Sequence, residues 1–309
     1  MVRALDLQQI IDPPEEVIDA AADGDLVMFV GAGTSMLVDL PSWGSFASQA
    51  LDDLRQAKLL NYSEIEQLKT LDPRKQLSIA RIIAEDNGQS LDLAKFFVGK
   101  KDGGSIYKAL NAIGCTCVTT NYDELLAPQY KKTGDSSAVP TTGARVSDKG
   151  DILPNLLDKP GTVIHIHGAA GNPATMIVTT QDYLLHYDDP NVQEFLSELF
   201  TKKTVVFIGY GLEEAEILEH ILRRGGATER SDRRRFAIQG YFRSQEPLYQ
   251  KLHRYYEKSF GVELLGFLRD HRDYHCQIGI IEHWSRTLQV REPTLASDAE
   301  LLAEVFPDG

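Results

Sequence analysis

The chain has 309 residues, 42% of them hydrophobic and 25% charged, a make-up that suits a globular protein with enough apolar residues for a core. Its net charge of −13 and isoelectric point near 5.1 exclude a protein built to wrap a phosphate backbone, because nucleic-acid affinity rests on basic contacts. Three cysteines, Cys115, Cys117 and Cys276, are too few for a disulfide framework or a four-cysteine zinc site within one chain.

The start, Met1-Val2-Arg3-Ala4-Leu5-Asp6, lacks a basic segment followed by an apolar one. No later run approaches the roughly 18 to 20 apolar residues of a membrane span, so a cytoplasmic protein is expected. Leu26–Val30 is continuously apolar, as in a parallel strand covered on both faces. It runs into Gly31-Ala32-Gly33-Thr34-Ser35, where Gly31 and Gly33 would let the backbone approach a pyrophosphate. Thr34, Ser35 and the N–H groups of a following helix start could donate to its oxygens. A plain tight turn has the same spelling. Met36 stands where a dehydrogenase fingerprint has its third glycine, and no Gly-Lys-Ser/Thr occurs in the turn. Hydride transfer and NTP hydrolysis therefore lose support while phosphate binding survives. From Trp43 to Leu110 the pattern is helical. Trp43, Phe46, Ala47, Ala50, Leu51 and Leu54 form one face, and Leu93, Phe96 and Phe97 suggest another. Residues 42–110 read as a helical module inserted after the first strand.

Cys115–Thr119 is the next strand, and it ends in Thr120-Asn121-Tyr122-Asp123. Polar side chains at the end of a parallel strand point into the crevice where open α/β sheets bind ligands. Asn121 or Asp123 would equally cap a helix beginning at Glu124. Residues 131–150, rich in Thr, Ser, Gly and Asp, read as a loop or irregular crossover. Val163–His167 follows, ending His165-Ile166-His167-Gly168. Residues two apart share one face of a strand, so spacing alone leaves open which histidine enters a site. His167, at the terminus beside a glycine, is the better candidate for chemistry, and His165 reads as a packed core histidine. No third ligand lies near enough in sequence for a metal site.

Met176–Thr179 is a further strand candidate. Val192, Phe195, Leu196, Leu199 and Phe200 then mark a helix, followed by a strand, Thr204–Ile208, that runs into Gly209-Tyr210-Gly211-Leu212-Glu213-Glu214. Gly209 and Gly211 would admit a ribose or phosphate, or simply make a turn. The cluster Arg223, Arg224, Arg230, Arg233, Arg234 and Arg235 is a solvated face or a docking surface for an acidic partner. Arg235–Ile238 and Val262–Leu265 complete the strands. In the tail, residues 296–309, Leu301, Leu302, Val305 and Phe306 form a short amphipathic pattern that could dock on its own body or on another subunit. Alternating strands and helices predict an α/β fold, a Rossmann-like doubly wound parallel sheet carrying the inserted module, within a single domain of residues 1–309. Four polar or glycine-rich strand ends then share one crevice, which offers phosphate donors, an amide, a carboxylate and an imidazole.

The ordered set Gly31-Ala32-Gly33-Thr34-Ser35, Thr120-Asn121-Tyr122-Asp123, His167-Gly168 and Gly209-Tyr210-Gly211-Leu212 resembles the sirtuin superfamily, in particular its bacterial defence-associated NAD⁺ hydrolase branch. Leu40-Pro41-Ser42-Trp43, Val178-Thr179-Thr180-Gln181-Asp182-Tyr183 and Tyr255–Glu263 extend the resemblance over roughly residues 10 to 290. It implies NAD⁺ as substrate, with Gly31, Ala32, Gly33, Thr34 and Ser35 holding the phosphates and Thr120 beside them. Asp123 would meet the nicotinamide carboxamide, Asn121 and His167 would be the catalytic pair, and Gly209, Tyr210 and Gly211 would approach the adenosine side. Deacylating sirtuins carry a cysteine zinc ribbon after the His-Gly motif. Only Cys276 follows it here, so no zinc is expected and NAD⁺ hydrolysis gains over protein deacylation. Gly211 stands where the branch more often has serine, which puts one ribose contact in question. The implied protein is an NAD⁺ glycohydrolase acting in anti-phage defence by NAD⁺ depletion, that is, by abortive infection. Control is expected from a homo-oligomer, from a separate trigger protein such as a partner ATPase of the translocase type, or from both, without direct nucleic-acid or membrane contact. Rival readings are a non-catalytic module sensing NAD⁺ or ADP-ribose, an NAD-dependent ADP-ribosyl transferase or deacylase, and a scaffold.

Overall fold

Met28 and Val30 pack on one side of the first strand and Val27 and Phe29 on the other, and all four are shut off from solvent. Both faces of a strand can be apolar only where helices cover both faces of its sheet. The computed structural model describes residues 6–129, 143–225, 234–288 and 290. Its strands are β1 (Leu26–Val30), β2 (Thr116–Thr119), β3 (Arg145–Val146), β4 (Val163–His165), β5 (Thr204–Ile208), β6 (Arg235–Tyr241) and β7 (Val262–Leu268). They form one seven-stranded sheet in the order β3-β4-β2-β1-β5-β6-β7, with every pairing parallel. From β1 the chain places β2 alongside it, goes out to the edge strand β3, inserts β4 between β3 and β2, and then returns to place β5 on the other side of β1. A reversal of this kind opens a crevice at the carboxyl ends of the two central strands.

Helices α1 (Glu15–Asp23), α6 (Gly104–Ile113) and α11 (Cys276–Thr287) cover the Met28 face. Helices α8 (Pro190–Lys202), α9 (Ala215–Gly225) and α10 (Glu246–Phe260) cover the Phe29 face. Helix α8 shows why such segments are helical. Asp189 caps it by accepting from the Asn191 N–H, Pro190 opens its first turn, and Val192, Phe195, Leu196, Leu199 and Phe200 are all buried on one stripe.

The helical module lies over the carboxyl ends of β2 and β4. Its helices α3 (Trp43–Gln56), α4 (Tyr62–Leu68) and α5 (Pro73–Asp86) share a core of Phe46, Ala50, Leu51, Leu77 and Phe97, closed from below by Tyr122, Ala170, Met176 and Val178. Helix α6, which begins within the expected span of residues 42–110, packs instead in the sheet layer beside α11.

Three expectations change. Met176–Thr179 is not a strand: Met176 and Val178 are apolar because they plug the module's core. Thr179 then caps α7 (Thr180–Tyr187) in a capping box with Asp182. The segment expected as loop or crossover holds the edge strand β3, whose two residues are too few for periodicity to reveal. Residues 130–142 lie outside the described residues. Arg235 is not on a solvated face: it is 5% exposed and donates to the Phe200 and Phe260 carbonyls. Arg234 is exposed, near Glu16 and Glu263. The side chains of Arg223, Arg224, Arg230 and Arg233, like the tail of residues 296–309, lie outside the described part. No helix among the described residues is long and apolar enough to cross a membrane.

Candidate active site

The turns after β1 and β5 are pressed together, backbone against backbone. Gly31 N–H donates to the Ile208 carbonyl at 2.9 Å and Gly33 N–H to the Gly209 carbonyl at 2.8 Å. A Cβ on Gly31 would stand 2.6 Å from Gly209 O, one on Gly33 2.8 Å from the same oxygen, and one on Gly209 2.5 Å from Thr34 N. Gly209 also has φ +61°, a left-handed conformation that glycine adopts freely. Gly31 and Gly33 are thus required by the neighbouring turn. The Thr34 hydroxyl donates to Gly31 O at 2.6 Å and the residue is fully buried. Ala32, Gly33 and Ser35, from the start of α2 (Ala32–Met36), reach the wall of a cavity of about 420 Å³, while Gly31 and Thr34 stand behind it. Thr120, Gly209, Tyr210 and Gly211 complete this side.

At the end of β2 the Thr119 hydroxyl donates to Val30 O at 2.8 Å and accepts from Asn121 N–H at 3.0 Å, which fixes the next residues beside the first turn. The Asn121 amide group donates to Gly31 O at 3.1 Å and to Ser35 Oγ at 2.9 Å. Ser35 Oγ in turn donates to Asp123 Oδ2 at 2.6 Å. With both amide hydrogens engaged, Asn121 Oδ1 is buried and has no hydrogen-bond partner among the described residues. Asp123 Oδ1 accepts from Leu125 N–H at 3.2 Å. This is a local turn, since residues 124–126 form no helix to be capped. Asn121 and Asp123, 6% and 3% exposed, both line the cavity.

The two histidines part because β4 stops at His165 and the chain turns at Gly168, φ +79°, where a Cβ would collide with Thr175 O. His165 stays in the core, its Nδ1 3.0 Å from Asn121 O, and burial holds its imidazole below the usual range. His167 enters the cavity wall. Its Nε2 is 2.7 Å from Tyr187 OH and its Nδ1 3.4 Å from Tyr183 OH. Burial first, then electrostatic coupling to His186 and the Arg74 cation, keep it well below the usual histidine range, so it is neutral at neutral pH. The cavity therefore brings Asn121, Asp123 and His167 together.

Arg74 and Glu214 are wall residues to which the sequence reading gives no role. Arg74 of α5 lies 3.7 Å over the Tyr183 ring and pairs with Glu216 at 2.7 Å. Nothing in the module's periodicity signals it. Glu214 follows the second glycine turn, so its position in a strand-end motif was a usable signal. Burial pushes its carboxyl up to about 7; Glu216 adds to the shift, and Tyr210, Arg74 and Tyr187 oppose it. Behind His167, with ring centroids 5.9 Å apart, His186 is 1% exposed and both its ring nitrogens lack partners among the described residues. Burial lowers it from 6.5 to about 4. A histidine depressed in the fold supports stability above its unfolded value and loses that support as pH falls through the folded one. His186→Phe is therefore expected to remove about 2 kcal/mol of the stability lost between pH 7.5 and 5, read from thermal unfolding at the two pH values. Among the described residues no group of three or more His, Cys, Asp or Glu side chains could hold a metal ion.

Residues 116–265, from the first residue of β2 into β7, match the SIR2-like domain. The chain is similar to sirtuins over this segment. Over 212 residues, 67% of its length, it is 27% identical to Defense-associated sirtuin 2 of Bacillus subtilis, and the match covers 20% of that relative, so the chain spans about a fifth of it. The SIR2-like segment holds Asn121, Asp123, His167, the turn after β5 and Glu214. The turn after β1 precedes it and is joined to it by the contacts of Gly31, Gly33 and Ser35.

Proposed function

We propose that this sirtuin-like chain is an NAD⁺ glycohydrolase, cleaving NAD⁺ to nicotinamide and ADP-ribose. The observation that carries the reading is an amide oxygen without a partner among the described residues, Asn121 Oδ1, sharing one strand-end cavity with a neutral buried imidazole, His167. SIR2-like domains use NAD⁺, and the cavity's volume of about 420 Å³ falls in the range of small-molecule sites.

Nicotinamide is a cationic substituent that leaves neutral, so its departure needs no general acid. The cost lies in the oxocarbenium-like ribose left behind, as in glycoside hydrolysis. The Asn121 amide is locked with its hydrogens on Gly31 and Ser35, so its oxygen would accept a hydrogen bond from the attacking water or a ribose hydroxyl and hold it on the reacting face. His167 would take the proton from that group, a role worth roughly 10²- to 10⁴-fold in rate. Asp123 anchors Ser35, and through it the amide, and lines the wall where it would meet the nicotinamide carboxamide. Ala32, Gly33, Ser35 and Thr120 would lie along the phosphates, with Gly209, Tyr210 and Gly211 toward the adenosine side. Arg74, the one Lys or Arg among the described wall residues, would offer counter-charge to the diphosphate. The likeness to a defence-associated sirtuin supports a role in anti-phage defence by NAD⁺ depletion, with activity held by a homo-oligomer or a partner ATPase.

Incubating the purified chain with NAD⁺ and resolving the products by chromatography tests the reading. Equal amounts of nicotinamide and ADP-ribose are expected. Cyclic ADP-ribose would indicate cyclisation. NAD⁺ binding in calorimetry with no turnover would replace the enzyme by a sensing module.

A further inference from the structure

We propose that Glu214 is a positioning residue for His167: its carboxylate faces Nε2, keeps the proton on that nitrogen and so leaves Nδ1 as the basic one. The inference rests on the NAD⁺-cleaving reading of the same cavity and names what orients its base.

Glu214 sits between the turn after β5 and the start of α9, so the contact of Gly31, Gly33 and Gly209 that joins the two central turns also sets its place. Its Oε2 lies 3.8 Å from His167 Nε2, beyond direct hydrogen-bond reach, and the Tyr187 hydroxyl stands 2.7 Å from the same nitrogen, beside the carboxylate. Oε2 is closed to solvent and has no hydrogen-bond partner among the described residues, although 23% of the side chain remains exposed. Both residues line the same cavity. The charged and titratable groups around the pair come from several elements. Arg74 stands on α5, Tyr183, His186 and Tyr187 on α7, Tyr210 in the turn and Glu216 on α9. Arg74 is engaged by Glu216 at 2.7 Å. His186 is held neutral by burial at neutral pH. Tyr183, Tyr187 and Tyr210 are pushed up by burial and keep their protons. Glu214 is thus the carboxylate left to answer a charge on His167.

An imidazole that accepts a proton in a buried site becomes a cation that must be paired to be tolerated. A carboxylate beside the Tyr187 hydroxyl draws that hydroxyl's proton toward itself and leaves its oxygen to accept from Nε2–H, which selects the tautomer with the proton on Nε2, and its charge stabilises the imidazolium that forms. Nδ1 then carries the lone pair, on the side of Tyr183, itself a wall residue. In the hydrolytic step Nδ1 takes one proton from water as the water oxygen bonds to the ribose C1′. The bond from C1′ to the nicotinamide nitrogen breaks, its electron pair leaves with nicotinamide, and the proton on His167 returns to solvent. Glu214 titrates near 7, so its ionisation gives the rate an acid limb near that pH.

Two readouts on the full chain decide the matter. Two-bond ¹H–¹⁵N spectra of labelled histidines report tautomer directly, with His167 assigned by the resonance missing from His167→Gln. Above pH 7.5 the wild type is expected to show the Nε2–H tautomer, with a shift near pH 7 as Glu214 ionises, and Glu214→Gln to lose both. In nicotinamide release, Glu214→Gln is expected to lower kcat about 10- to 100-fold with little change in KM and to lose the limb near pH 7, and Glu214→Asp to recover part of both. An unchanged tautomer and titration in Glu214→Gln, or an unchanged kcat and pH limb, would overturn the proposal. If the wild type releases no nicotinamide, the NAD⁺ reading fails while the histidine spectra still decide the pairing.

Discussion

Asn121→Ala is expected to release nicotinamide from NAD⁺ at least ~10²-fold more slowly than the wild-type chain, and His167→Ala ~10²- to 10⁴-fold more slowly. The alanine at 121 removes the acceptor oxygen and also both donors that fix it on Gly31 and Ser35. Asn121→Asp separates these roles. It keeps an oxygen at the acceptor position but turns the other toward the Gly31 carbonyl and toward a Ser35 hydroxyl already donating to Asp123. It should therefore be no better than alanine. At position 167 the loss is that of a neutral base, because burial keeps the imidazole unprotonated at neutral pH. The double variant should be little worse than the poorer single one, as two groups serving one transition state are not additive. Single-turnover nicotinamide release gives the comparison. Equal rates in all the chains would remove both residues from the mechanism.

Gly209→Ala is expected to cost about 2 to 4 kcal/mol of stability and to lower the melting temperature by roughly 5 to 15 °C. The backbone there has φ +61°, and the added methyl would stand 2.5 Å from Thr34 N and 2.8 Å from Thr34 Oγ1, in a turn whose Thr34 is fully buried. The two central turns would have to separate, drawing Ser35 away from Asn121 and Asp123, so NAD⁺ turnover should fall with stability. Gly211→Ser is the contrasting case. A Cβ at 211 has as its nearest neighbour the Glu213 side chain, at 3.4 Å, an ordinary van der Waals distance, so the serine should leave the melting temperature within a few degrees, and it would offer the ribose a hydroxyl. Thermal unfolding of the pair measures the difference. A Gly209→Ala chain as stable as the wild type would show that the turns can move apart at little cost.

Much of the architecture was legible because it is local. The runs Leu26–Val30 and Thr204–Ile208 are apolar on both faces, which only a covered parallel strand tolerates. The stripe from Val192 to Phe200 repeats at helical spacing, and it is buried along its whole length. From alternation of such elements the doubly wound sheet followed, and with it the shared crevice at the strand ends, so Asn121, Asp123 and His167 could be named as neighbours before any coordinates.

What periodicity cannot carry is the partner of a residue. It marked Met176 and Val178 as apolar but not that they close the helical module instead of pairing in the sheet. It gave His165 and His167 one face, and only the turn at Gly168 sends them apart. The glycines at 31 and 33 were visible, yet their need comes from Gly209, far away in the chain and adjacent in space. Arg74 and Glu214 reach the cavity for the same reason. Local patterning marked most of the strands and helices and the edge of the sheet on which the candidate cavity opens. Tertiary structure alone decided which polar groups face one another, because hydrogen bonds and charges act over a few ångströms in space whatever the distance along the chain.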